Sequence, residues 1–391
     1  MSTKKALVAC FPDPSGNPRP YRAIKAIKEL GYEVHALCAP LKNELPELSR
    51  VFEINNFING RDNSRLKKLW YYAYKLANNA IFVESLNKWL CGRAYGMQQY
   101  LKPLKAEAYD LLLAEDLAML PFLLQIKQPA ARLAFDAREF YPAEFENSTF
   151  FKVFLSREKW AMCRVYLPKV DVFYTVSNGL AMLYEEHFGK RREVIRSLPL
   201  SAADLKAPNQ MPTWKMVHHG LANPDRQLEQ MIEVMALLDK RFTLDFYLQG
   251  NQSYIASLKL LAAGNDRIQF KEPVPFKKIH EMLSQYDLGF YFLKPTGLNT
   301  LYSLPNKFFE FIQARLVLAI GPSPDMKFIV NQFDMAVVAK EFTAEAMAKA
   351  LNELTEEEFL RMKAQTRIAA QELNWEKESQ VLKTLLAAKS N

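Results

Sequence analysis

The 391-residue chain has only four cysteines, Cys10, Cys38, Cys91 and Cys163, scattered without a Cys-x-x-Cys pair. That excludes a disulfide framework and a zinc knuckle, and predicts reduced, mostly buried thiols in a cytoplasmic protein. No two aspartates stand in an Asp-x-Asp arrangement and no His/Cys cluster occurs, so no metal site is expected. A Gly-x-Ser-x-Gly elbow is also missing, which argues against a serine hydrolase. No apolar run approaches the ~18–20 residues a membrane span requires. Residues 6–11 are too short for a signal-peptide core and suit a first buried strand. There is no low-complexity tract and no internal sequence repeat.

What is present is an ordinary globular balance, 49% apolar and 24% charged, with a formal net charge of +8. The basic excess favours acidic partners such as nucleotide phosphates or anionic lipid head groups. No nucleic-acid-binding module is recognisable, so nucleic acid is not an expected partner.

Short apolar runs alternate with helical patterns. Strands are predicted at 6–11, 33–39, 51–54, 111–114, 132–136, 170–176 and 193–195, and helices at 21–30, ended by Gly31, and at 181–188. After a polar stretch at 201–213 the alternation restarts, with strands at 216–219, 243–248, 268–271, 288–293, 316–320 and 336–339. Helices are expected at 228–238 and 279–286. The pattern predicts an α/β protein of two Rossmann-like, doubly wound domains facing across a cleft. Their bounds would be 1–205 and 206–375, with a C-terminal helix at 376–391 packing back on the first domain.

The most informative stretch is 286–323. It reads as a buried strand, a Gly/Asn/Thr loop, a helix and a second buried strand. Pro305 suits the first turn of that helix, where its missing N–H costs little. The free amides of Asn306 and Lys307 would then point outward with the positive end of the helix dipole, a ready anion site. Glu310 follows one turn later on the same face. A carboxylate there can accept hydrogen bonds from both hydroxyls of a ribose.

This stretch, Leu304-Pro305-Asn306-Lys307-x-x-Glu310-Phe311, resembles the donor-binding segment of retaining glycosyltransferases of the GT-B fold, family-4 type. An ordered series of weaker matches accompanies it. His218-His219-Gly220 with Arg226 and Glu229 is similar to the family's Gly-x(n)-Arg/Lys-Gly-Leu-Glu opening of the second domain. Phe246 to Gly250 resembles the next strand with its terminal glycine. Arg267 to Phe270 with Pro273 resembles the strand and turn that line the nucleotide base. In the first half, the segment from Phe135 to Pro142, with Asp136, Arg138 and Glu139, is similar to the family's Asp-x-His-Glu-x-x-Pro, and Val176-Ser177 to its Val-Ser. There are two departures. The residue eight before Glu310 is Tyr302 where the family has a glutamate facing the donor sugar, and Arg138 stands where many relatives have histidine.

The resemblance implies transfer of a sugar from a nucleoside diphosphate sugar to an acceptor hydroxyl, with retention, no divalent metal and no cofactor beyond the donor. Catalytic roles would fall to Asp136, Arg138, Glu139, Arg226 and Lys307. The donor would lie against Gly16, His219, Gly220, Arg226, Gly250, Pro273, Asn306, Lys307 and Glu310. The acceptor would be a saccharide or a lipid-linked molecule, in bacterial surface polysaccharide or glycoconjugate synthesis, at the inner face of the membrane. Two alternatives stand beside this reading: a nucleotide-sugar epimerase of the same fold, and a non-catalytic protein that binds a nucleotide sugar or a partner enzyme. Finally, Lys67, Lys68 and Lys75 interleave with Trp70, Tyr71, Tyr72 and Tyr74 in a segment that interrupts the α/β alternation. Such a helix either docks on an anionic membrane or is a core helix with a solvated lysine edge.

Overall fold

The computed structural model describes residues 3–54, 65–191, 193–202, 213–275 and 278–388. The chain divides into two compact units, Met1–Ile195 with Ser379–Asn391, and Arg196–Glu378.

The first unit holds a six-stranded sheet of β1 (Lys5–Ala9), β2 (Glu33–Cys38), β3 (Leu48–Glu53), β4 (Leu111–Ala114), β5 (Arg132–Ala137) and β6 (Val172–Thr175). Its order is β3-β2-β1-β4-β5-β6 and every pairing is parallel. The central strands, β4 throughout and β1 after Lys5, are apolar and buried, as strands covered on both faces are. Residues 193–195, predicted as a strand, supply only one bridge, from Val194 to Thr175. The first helix, Pro18–Glu29, is capped by the Asn17 side chain, which accepts from the Arg19 amide. Gly31, at φ +86°, follows its end as expected of a terminating glycine.

The second unit repeats the topology with β7 (Trp214–Ala222), β8 (Phe242–Gly250), β9 (Ile268–Lys271), β10 (Leu288–Tyr291), β11 (Val317–Ile320) and β12 (Ala336–Val338). Here the order is β12-β11-β10-β7-β8-β9, again parallel throughout. Read from its first strand outward, each sheet is the doubly wound order in which ligands lie beyond the carboxyl ends of the strands. Neighbouring side chains of β7 serve opposite faces. Trp214 and Met216 join one apolar cluster with Phe246 and Phe290, while Val217 joins another with Leu318 and Phe308. Two close approaches need glycine: a Cβ on Gly289 would lie 2.3 Å from the Phe311 ring, and one on Gly321 2.1 Å from Phe342. The helix expected at 279–286 is only Ile279–Leu283. Most of the polar stretch at 201–213 lies outside the described residues.

Among the described residues no helix is long and apolar enough to cross a membrane. All four cysteines are buried.

Candidate functional site

In the second unit the carboxyl edge of the sheet collects the ends of β7, β8 and β10 and the start of the helix Asn306–Gln313. Pro305 is the residue before the first turn, in extended backbone, and no side chain caps the helix. The Asn306 and Lys307 amides are therefore open to a ligand, at the positive end of the dipole. That helix is buried from Lys307 to Gln313, with only Asn306 exposed.

Lys307 reaches back along β7. Its Nζ lies 3.4 Å from His218 Nε2 and 5.6 Å from the centre of the Tyr291 ring. Gly220 makes this possible. A Cβ there would stand 3.0 Å from Nζ, and the φ of +117° disfavours any side chain. Burial, with the nearby Arg226 guanidinium, lowers the Lys307 pKa to about 7, against a smaller opposing pull from Glu310. His218 is fully buried. Its Nδ1 stands 2.8 Å from the Phe290 carbonyl, which has only an acceptor to offer, so Nδ1 carries the proton and Nε2 is left as an acceptor. Burial, then the Lys307 charge, hold its pKa well below the ordinary histidine value, so the ring is neutral.

One turn along, Glu310 is buried with Oε2 3.3 Å from His219 Nε2. The two are close but not aligned, and Nε2 has no hydrogen-bond partner among the described residues. Arg226 is half-buried, and its Nη1 donates to the Leu221 carbonyl at 3.3 Å. Next to it Gln227 sits in left-handed backbone, φ 48° and ψ 51°. The resembled motif has glycine at this position, and this conformation is the reason. Gly250 ends β8 at φ +114°, where a Cβ would come within 2.6 Å of Leu221. Pro273 follows β9, exposed, and Tyr302 is half-buried at the end of the short helix Leu298–Leu301. The edge thus assembles His219, Gly220, Arg226, Asn306 and Lys307 into one cationic, amide-rich surface beside the Glu310 carboxylate.

The matching edge of the first unit is built differently. Asp136, near the end of β5, is bound by Arg19 through two 2.6 Å bonds, Nε to Oδ2 and Nη2 to Oδ1, and Arg19 Nη2 also donates to the Ile195 carbonyl at 3.0 Å. Both side chains are largely buried. Glu115, directly after β4, is wholly buried and neither of its oxygens has a hydrogen-bond partner among the described residues. Burial, then the Asp136 charge, raise its pKa to about 8, against the pull of Arg138 and Arg19. The Tyr174 hydroxyl is also buried and unpaired. Arg138 is half-buried and Glu139 exposed. Gly16 is exposed in a turn organised by Asp13, whose carboxylate accepts from Ser15 and from the Lys42 amide. A side chain there would fit, since a Cβ meets nothing nearer than 3.8 Å. Nothing in the sequence marked Glu115; an acidic residue directly after a wholly apolar strand was the available signal. Among the described residues no three His, Cys, Asp or Glu side chains are grouped to hold a metal ion.

The helix Arg65–Ala80 corrects one expectation. Lys75 is no part of a lysine edge. It is buried, with Nζ 3.1 Å from the Glu158 carboxylate, and an isolated buried ammonium would be costly without that partner. Tyr72 is half-buried and meets Phe150 edge-on at 5.8 Å. The side chains of Lys67, Lys68, Trp70, Tyr71 and Tyr74 lie outside the described residues.

No protein-family model and no curated protein sequence matches the chain. Solved structures do. A glycosyltransferase from Rickettsia africae superposes with a TM-score of 0.69 at 12% identity, covering 100% of both chains. HepE of Anabaena, in complex with UDP and glucose, gives 0.68 at 12%, covering 98% of this chain and 100% of that one. WaaG, a glycosyltransferase involved in lipopolysaccharide biosynthesis, gives 0.65 at 11% with 98% and 100% coverage. Against TarM of S. aureus the score is 0.59 at 11%, and this chain spans 58% of that protein's length. At such identities the likeness is one of fold: two Rossmann-like units of the GT-B class.

Proposed function

We propose that the protein transfers a sugar from a nucleoside diphosphate sugar to an acceptor hydroxyl, with the donor held by the second unit. The observation that carries this reading is the uncapped start of the helix Asn306–Gln313, flanked by Lys307 and Arg226 and followed one turn on by Glu310. Two amides, two cations and a helix dipole fit a diphosphate, and a carboxylate one turn further fits the two hydroxyls of a ribose. Lys307 and Arg226 would stabilise the diphosphate as its bond to the anomeric carbon breaks, the role a divalent metal plays elsewhere. The acceptor oxygen forms the new bond, and its proton passes to the departing phosphate. Anomeric retention and metal independence belong to this proposal. In it Asp136, Arg138 and Glu139 serve the sugar and acceptor side, with Asp136 held by Arg19. A second GT-B activity, epimerisation of a nucleotide sugar, and binding without turnover are separated by incubation with labelled donors in excess EDTA. Transfer to an added saccharide acceptor supports the proposal. Epimerised donor, no turnover, or activity that returns only with Mg²⁺ or Mn²⁺ counts against it.

The acceptor side carries an observation of its own. Leu69 and Leu76 on the helix Arg65–Ala80 are exposed, as are Phe150 and Val153 on the helix Thr149–Phe154, and the Tyr72–Phe150 contact joins the two helices. Exposed apolar side chains grouped beside the exposed Lys152 and Arg157 suit an anionic membrane surface and a lipid-linked acceptor. Leu69→Glu with Phe150→Glu should abolish sedimentation with anionic liposomes and leave nucleotide binding intact. A wild-type protein that ignores such liposomes would point to a soluble acceptor.

A further inference from the structure

Lys307 is unusual among phosphate-binding lysines in what it leans on. Its hydrogen-bond partner in the free protein is the neutral imidazole of His218, not a carboxylate. The charged and titratable groups around it come from three elements: Arg226 after β7, Glu310 on its own helix, and Glu310's neighbour His219 on β7, with the Tyr291 ring of β10 beneath. His218 cannot readily turn away, because its Nδ1–H is committed to the Phe290 carbonyl on β10. A fixed lone pair therefore faces the ammonium, orienting it without neutralising it.

We propose that His218 is a positioning residue for Lys307, and through it sets the pH range over which the second unit accepts a nucleoside diphosphate. This rests on the donor-site reading above. A hydrogen bond to Nε2 favours the ammonium over the amine, whereas burial and Arg226 favour the amine. Near neutral pH the free protein balances these, and a bound diphosphate tips Lys307 fully to the ammonium. Binding then takes up a proton. The sign follows from linkage: the bound-state pKa lies above the free one of about 7, so affinity is highest below pH 7 and falls as pH rises. The diphosphate's own last ionisation, near pH 6, is complete before that window.

Two measurements on the full chain test the proposal separately from the reading it rests on. The first is the NMR titration of the Lys307 side chain in the ligand-free protein, assigned by its loss in Lys307→Met. His218→Phe should move the midpoint to lower pH by at least half a unit. His218→Gln, which restores an acceptor to the ammonium, should return it toward wild type. An unmoved midpoint in His218→Phe overturns the positioning role, whether or not any nucleotide binds. The second is calorimetry with UDP, GDP and ADP between pH 7 and 9, in buffers of different ionisation heat. The wild type should take up a proton and lose several-fold affinity per pH unit. His218→Phe should already be weak at pH 7, and Lys307→Met should show no such pH dependence. Binding that is equally tight from pH 7 to 9 overturns the proton linkage. If none of the three binds while the NMR midpoint still shifts, the donor-site reading and the pH role both fall, and only the His218–Lys307 pairing survives.

Discussion

The two sheets share one strand order, yet their carboxyl edges carry charge in opposite ways. In the first unit, cation and anion answer each other: Arg19 clasps Asp136, and the buried Glu115 is held toward its neutral form. In the second, Arg226 and Lys307 crowd one another with Glu310 as the nearby carboxylate, and the helix start beside them is uncapped. An edge whose buried cation is already paired with a carboxylate has little to gain from a small anion. An edge with excess cation and free amides does, because binding relieves repulsion and fills hydrogen bonds that would otherwise go to water. The same scaffold therefore yields one edge suited to holding shape and another suited to holding a diphosphate.

Substitutions can break that contrast, and the largest effect should come from the first unit. Arg19→Ala leaves Asp136 as a buried, unpaired carboxylate, a kind of loss worth about 3–5 kcal/mol. Chemical denaturation should show it, while diphosphate affinity at the second unit, measured by calorimetry, stays within about twofold. A large loss of affinity with no loss of stability would reverse the roles assigned to the two edges.

Lys307→Met should do the opposite. A charge-assisted hydrogen bond of roughly 1.5–3 kcal/mol corresponds to a ten- to hundredfold loss of nucleoside diphosphate affinity. Stability should be unchanged or improved, since a buried cation crowded by Arg226 is removed. Glu310→Gln should cost less, several-fold, and chiefly for ligands with a ribose; inorganic pyrophosphate should be indifferent to it.

Glu115→Gln sharpens the contrast through pH. The folded-state pKa of Glu115 is raised to about 8, so the folded protein holds a proton that the unfolded chain releases near pH 4.5. Folded stability then falls as pH rises between those values and levels off above them. The glutamine variant lacks this penalty. It should be more stable than wild type by roughly 2–3 kcal/mol at pH 7, with the gain vanishing toward pH 4.5. An equal gain at both pH values would mean that the carboxyl is ionised throughout. The smallest effect is expected of Gln227→Gly, which relieves left-handed backbone at φ 48° and should raise stability by about 0.5–1 kcal/mol without weakening diphosphate binding.

Legibility in the sequence followed the range of the interactions. The run 111–114 is a strand at its predicted bounds because burial on both faces leaves a wholly apolar signature, and 268–271 is one because Ile268 and Phe270 alternate with the exposed Gln269 and Lys271. β7 and β8 run longer than the pattern suggested, to nine residues each, taking in Gly220 to Ala222 beyond the predicted 216–219 and Gln249 and Gly250 beyond 243–248. The helix start at Asn306 was legible from Pro305 alone. The partners of the charged side chains were not. Arg19 and Asp136 are 117 residues apart, Lys75 and Glu158 83, and His218 and Lys307 89. No periodicity reports such pairs, which is why Lys75 read as a surface lysine.

The contrast between the edges is tested most directly by hydrogen–deuterium exchange, followed by mass spectrometry, with and without saturating UDP, GDP or ADP. The Asn306 and Lys307 amides have no intrahelical acceptor, so a bound diphosphate should slow their exchange more than it slows the core. With whichever nucleotide binds, protection should appear in peptides covering residues 303–310 and 218–226. Peptides covering 12–23 and 132–141 should be unaffected by the diphosphate alone. Protection confined to those first-unit peptides, with residues 303–310 unchanged, would contradict the account.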